Sequence, residues 1–279
     1  MLPIACHLMC YRQVLGREQL IQKLDTVLGQ VAAAGFPAVR HFIDCLTTED
    51  LIDNYVELLD KYKLRPAGVF TGGVLYDADK ADQFERTLLA VVSAIQPSLN
   101  LQTITIGPDP LPRKGAKSDR QLEIQAQTLI NISEKLSDQQ IRLIYRFAGP
   151  EMADDAREFK RMMRLVTSQY IGVCYDPDWV ARSGQYPIDL LDQFAPRVEE
   201  LQLRSSRDGV WDEVLGDGDV DLKEVIELLA DYDYRGWYLV ALAREAKTPK
   251  NIPLPEALKK SYDYAQTLLK TASRLQGLY

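Results

Sequence analysis

Histidine occurs only twice in the 279 residues, as His7 and His41. Each falls near the end of an apolar run, where an imidazole is placed to shuttle a proton near neutral pH. A packing histidine with a satisfied hydrogen bond is the alternative. Comparable strand-end positions carry Arg40, Arg146, Asp176, Gln202, Arg204, Ala241 and Arg244. Guanidiniums grouped in one site form a cationic floor for an anionic or hydroxyl-rich ligand, so Arg146, Arg204 and Arg244 are candidates for that role, with Gln202 exchanging a hydrogen bond with a hydroxyl. Glu151 is a candidate general base, or a solvated acid at a helix start. The basic run Arg113 to Lys117 either reaches a phosphate or is a solvated loop.

Positioning these side chains requires eight strands, because the chain alternates short runs rich in Val, Ile and Tyr with longer amphipathic stretches. The spacing predicts strands at Pro3 to Met9, Ala38 to Ile43, Pro66 to Phe70, Leu101 to Ile106, Ile141 to Phe147, Tyr170 to Tyr175, Val198 to Leu203 and Gly236 to Leu242. It predicts helices from Arg17 to a C-cap at Gly35, then Glu49 to Tyr62, Ala81 to Ile95, Asp119 to Leu136, Asp154 to Val166, Ile188 to Phe194, Leu222 to Tyr232 and Leu254 to Leu275. Strict alternation implies a parallel sheet with right-handed crossovers. Eight units over this length suit one closed (β/α)8 barrel across residues 1–279, a fold of about 250 residues whose chemistry sits at the C-terminal strand ends. The first strand runs into His7-Leu8-Met9-Cys10-Tyr11 with no GxGxxG, which argues against a dinucleotide-binding sheet.

The formal charge of −7 and the lack of a basic, aromatic-interleaved patch argue against nucleic acid as a partner. No run approaches about 18 uninterrupted apolar residues and the first residues lack a basic region, so neither a membrane span nor a signal peptide is expected. Cys6, Cys10, Cys45 and Cys174 follow no CxxC spacing and read as reduced core residues, which suits the cytoplasm.

Several segments, in order, resemble the xylose isomerase-like superfamily of sugar phosphate isomerases and epimerases. Leu215-Gly216-Asp217-Gly218-Asp219-Val220-Asp221 is close to that family's LGEGDVD. Gly172-Val173-Cys174-Tyr175-Asp176-Pro177-Asp178-Trp179 is similar to its GVCxDxGH, and Ala181-Arg182-Ser183-Gly184 with Pro187 to its ARAGxDP. Ala33 to Val39 resembles its AAGFDGVE. The resemblance covers almost the whole chain.

It implies a divalent metal, Mn or Mg, held at the ends of strands five to eight, where it stabilises the enediolate formed as a proton leaves the carbon beside a carbonyl. The corresponding residues here are Arg146, Asp176, Gln202 and Ala241, of which only Asp176 is a good metal ligand. The family's HVHLKD is matched by Glu200 to Ser205, and its strand-eight carboxylate by Ala241. No cofactor is therefore expected. Arg146 is expected to stand in for the metal by pairing with Asp176, either as part of a site or as a structural plug. Trp179 lies at the family's His position and offers an apolar face to a sugar ring, or wedges beneath a loop. The resemblance implies an isomerase or epimerase acting on a keto sugar, sugar acid or cyclitol; a catalytically silent carbohydrate-binding barrel and a dehydratase or lyase are the alternatives. Pairing of barrels into a homodimer through the helix from Leu254 is a further implication, against the simpler role of closing the outer ring.

Overall fold

The computed structural model describes residues 2–113, 115–275 and 277, without the side chains of residues 272 and 275. Lys114 of the basic run lies outside the described residues. Eight parallel strands close a barrel: β1 (Ile4–His7), β2 (Ala38–Phe42), β3 (Arg65–Gly73), β4 (Thr103–Pro108), β5 (Arg142–Arg146), β6 (Ile171–Tyr175), β7 (Val198–Leu203) and β10 (Trp237–Val240). Each pairs with its sequence neighbours, and β10 closes on β1 through Ile4↔Tyr238, Ala5↔Leu239 and Cys6↔Val240. Between β7 and β10 the chain adds a hairpin of β8 (Ser206–Arg207) and β9 (Val210–Trp211).

The outer ring comprises α1 (Met9–Gln22), α2 (Leu24–Ala33), α3 (Glu49–Tyr62), α4 (Ala78–Leu99), α5 (Asp119–Ser137), α6 (Gly149–Leu165), α7 (Pro177–Arg182), α8 (Pro187–Phe194), α9 (Leu222–Asp231) and α10 (Leu254–Leu275). The first expected helix is two helices. It starts eight residues early, passes through Gly16 at φ 73°, and breaks at Lys23. α6 starts five residues before its expected bound because Pro150 fits the first turn and Glu151 caps it. It is interrupted at Asp154, Asp155 and Ala156, all with positive φ. α10 packs on α9, α2 and β10, completing the ring. Among the described residues no helix is long and apolar enough to cross a membrane.

Side chains alternate in and out along each strand. Ala5, Ala38, Ala67, Ile144, Cys174 and Leu239 form a small cluster of their own, separate from the large helix–barrel core. The small alanines leave room for Arg40, the largest fully buried side chain, which crosses the barrel to Glu200. Its Nη1 donates to Glu200 Oε2 at 2.6 Å, and Thr105 Oγ1 donates to the same carboxylate. Arg40 Nε also donates to Ala67 O at 2.9 Å. That carbonyl is turned inward where β3 slips register against β2 beside Gly68, whose φ is +75°. A Cβ on Gly68 would lie 2.4 Å from Thr103 Oγ1, so the bulge requires glycine. The four cysteines are free and buried.

Candidate active site

Above the Arg40–Glu200 pair the inner face carries His7 at the end of β1, Arg146 at the end of β5, Asp176 just past β6, and Gln202 and Arg204 at and just past the end of β7. Asp176 is both the N-cap of α7, accepting from Trp179 N at 3.3 Å, and one half of an ion pair. The other half is Arg204, whose Nη2 lies 2.6 Å from Asp176 Oδ2, with both side chains buried. The expected partner, Arg146, is instead turned to Gln202, its Nε reaching Oε1 at 3.4 Å. Arg204 donates to the same amide oxygen, so Gln202 bridges two guanidiniums and its carbonyl group is saturated by cations. Arg204 wins the carboxylate because it stands past the end of β7, and Asp176 likewise stands just past the end of the neighbouring β6.

The guanidinium carbon of Arg146 lies over the Phe70 ring, 5.7 Å from its centroid. His7 is packed against that ring at 5.5 Å and against Phe42 at 5.3 Å, so imidazole and guanidinium contact the same aromatic. His7 is fully buried, and neither ring nitrogen bonds to a described residue. Burial first, then Arg40, Arg146, Arg204 and His41, hold its pKa well below the usual value, so it is a neutral base at pH 7. Burial and the charge of Arg204 also lower the pKa of Arg146.

The other candidates are placed elsewhere. His41 faces away from the barrel interior, its ring 5.1 Å from Tyr55 of α3. Glu151 accepts from Ala148 N at 2.8 Å to cap α6 and faces Lys117 Nζ at 3.4 Å. Lys117 is itself buried and bound to Glu158 at 3.0 Å, so the end of the basic run is an internal counter-ion and not a solvated or phosphate-reaching cation. Arg244 stands at the rim, its backbone N donating to Gln13. Ala241 is buried, its N donating to Leu203 O at 2.9 Å.

Trp179 is a wall of the mouth: a Cβ on Gly149 would lie 3.0 Å from its ring, and it meets Trp211 edge-on at 5.1 Å. Arg182 covers Trp211 at 3.9 Å and pairs with Glu245 at 3.1 Å, while Arg204 lies under the same indole at 4.9 Å. Trp211, Arg182, Phe42 and Phe70 are site residues that the sequence reading passed over. Asp178 is another: it is fully buried and accepts from Ser206 Oγ at 2.6 Å. Burial, followed by the neighbouring Asp176, pushes its pKa up to about 7. The LGDGDVD segment packs against the hairpin, since Asp219 N donates to Ser206 O at 2.7 Å and a Cβ on Gly218 would lie 2.5 Å from that oxygen. Its glycine is a close-approach residue that seats the hairpin over the mouth.

The chain belongs to the xylose isomerase-like TIM barrel family, whose profile matches residues 28–268. Among solved structures it is similar to L-ribulose 3-epimerase, with a TM-score of 0.78 at 14% identity, covering 100% of this chain and 98% of that one. It is also similar to a xylose isomerase-like TIM barrel protein from Mycobacterium smegmatis in complex with magnesium, with a TM-score of 0.74 at 12% identity, covering 99% and 98%. At such identities the likeness establishes the fold. Among curated proteins it is similar to the rhizopine catabolism protein MocC of Rhizobium meliloti, 26% identical over 209 residues, 66% of this chain and 64% of that protein. It is 24% identical to an inosose dehydratase of Geobacillus kaustophilus over 153 residues, 48% of this chain and 46% of the relative. The chain thus spans about half the length of the inosose dehydratases it matches.

The divalent metal that this family implies does not fit the residues present. The four strand-end positions hold a guanidinium, a carboxylate already paired with Arg204, an amide oxygen already facing two guanidiniums, and a methyl group. Among the described residues no group of three or more His, Cys, Asp and Glu side chains is arranged to hold a metal ion. A divalent cation about 4 Å from one guanidinium would be repelled by about 8 kcal/mol at an effective dielectric near 20, and there are two.

Proposed function

We propose that the protein binds a polyhydroxylated carbonyl compound, a keto sugar, sugar acid or cyclitol, at the C-terminal mouth and moves a proton beside its carbonyl. The observation that carries this reading is the contact of His7 and Arg146 with the same ring, Phe70. A neutral imidazole with two unpartnered nitrogens is a base, and a guanidinium beside it holds negative charge on an oxygen. His7 takes the proton from the carbon next to the carbonyl, the unpartnered Nε2 of Gln202 donates to the resulting enolate oxygen, and the positive charge of Arg146 stabilises the anion. Return of the proton by His7 to the neighbouring carbon gives an isomer; an epimer takes a proton from solvent on the opposite face, and His7 releases its own to solvent in exchange. Departure of a hydroxyl from the enolate gives a dehydration, the alternative favoured by the relatives named inosose dehydratase. Arg204 keeps Asp176 neutralised, and the Trp179–Trp211 wall limits water at the mouth.

Incubation of candidate sugars with the protein in D2O tests the reading. Deuterium should appear by NMR at the carbon beside the carbonyl, and His7→Ala should abolish its incorporation. A second reading, binding without turnover, is favoured by Ala241, which leaves strand eight without an acid or base. In that case ligands raise the melting temperature and no deuterium is incorporated.

A further inference from the structure

We infer that the mouth is specific for a sugar bearing a carboxylate, and that Arg146 is the residue that reads it. The inference rests on the carbohydrate reading above and narrows its substrate class. The barrel interior carries three guanidiniums, of Arg40, Arg146 and Arg204, against two carboxylates, of Glu200 and Asp176. Arg40 is closed by Glu200 and Arg204 by Asp176. Arg146 is left with an amide oxygen at its Nε and the Phe70 ring beneath its guanidinium carbon.

The first of those contacts decides which ligand group fits. Gln202 takes the Nε side of the guanidinium, and the Nη edge is what Arg146 has left to present to a ligand. That edge is a planar pair of N–H donors, the complement of a carboxylate's two oxygens. Of the other cations near the mouth, Arg12 is paired with Asp44 at 2.6 Å and Arg182 with Glu245 at 3.1 Å, while Arg244 at the rim keeps a buried Nη2 without a partner among the described residues. Asp178, the remaining buried carboxyl beside Asp176, accepts from Ser206, and among the described residues no hydrogen bond joins it to Arg146 or to Gln202. The planar fork of Arg146 matches the two coplanar oxygens of a carboxylate more closely than the tetrahedral oxygens of a phosphate. Phe42 and Phe70 supply apolar faces for the ring carbons beside it.

Titration calorimetry with a panel of uronates and aldonates, each set against its uncharged amide, tests this, with glucose 6-phosphate as the phosphate arm. The wild type should bind an acid roughly ten- to hundredfold more tightly than its amide, the range of one charge-assisted bidentate contact. Arg146→Gln should erase the difference, and Arg146→Lys, which keeps the charge without the fork, should restore part of it; thermal unfolding of each variant reports whether it is folded. Equal affinity for acids and amides, a preference that survives Arg146→Gln, or tighter binding of the phosphate would overturn the inference and leave the carbohydrate reading standing. Binding of no sugar, charged or neutral, would overturn both.

Discussion

Asp176 and Arg204 meet at 2.6 Å inside the barrel mouth, and this contact occupies the position where the family's fold implies a metal. A buried pair of this kind contributes little net stability relative to apolar residues of the same volume, but breaking it is costly. Arg204→Ala should therefore destabilise the protein by about 3 to 5 kcal/mol in chemical denaturation, because Asp176 is left buried with only a backbone N–H. The double variant Arg204→Met with Asp176→Leu should recover most of that loss. A double variant as unstable as the single one would show that the pair matters for more than mutual neutralisation.

Asp178 sets a pH dependence of opposite sign to the usual acid limb. Its folded pKa of about 7 lies above its unfolded value, so the folded state binds the extra proton and this group's contribution is lost as pH rises from the ordinary carboxylate range to 7. Asp178→Asn keeps the acceptor for Ser206 Oγ and removes the charge. The variant should match the wild type near pH 3 and exceed it by up to about 4 kcal/mol above pH 8. Equal stability at both pH values would place the Asp178 pKa in the ordinary range.

His41 acts in the other direction. Burial against α3 holds its pKa at about 4, below the unfolded value, so its contribution is complete above the unfolded pKa and lost as pH falls from there to 4. His41→Phe, which keeps an aromatic ring against Tyr55, should remove about 3 kcal/mol of acid sensitivity across that window. An unchanged acid limb would mean that His41 is protonated in the folded protein.

The barrel itself was legible because β-branched runs and amphipathic stretches alternate without interruption, and the strand ends followed from it. Which side chains meet there was less legible. Alternation along β2 puts His41 on the face opposite Arg40, and a resemblance that aligns single positions carries no partner for a guanidinium. Arg146 and Arg204 are both within reach of Gln202, and only the three-dimensional placement of α7 assigns Asp176 to Arg204. The start of α6 was missed because periodicity begins only after the left-handed residues 154–156, and the cap supplied by Glu151 precedes them. Trp211 belongs to a two-residue strand, too short to leave a periodic signal.

The account turns on guanidiniums standing where a divalent cation would bind. Titration of Mn2+ into chelator-treated protein, followed by calorimetry and by the electron paramagnetic resonance of the free ion, measures this directly. The account predicts no saturable site at millimolar Mn2+, in the wild type and in Asp176→Asn alike. One saturable site per chain that disappears in Asp176→Asn would contradict it.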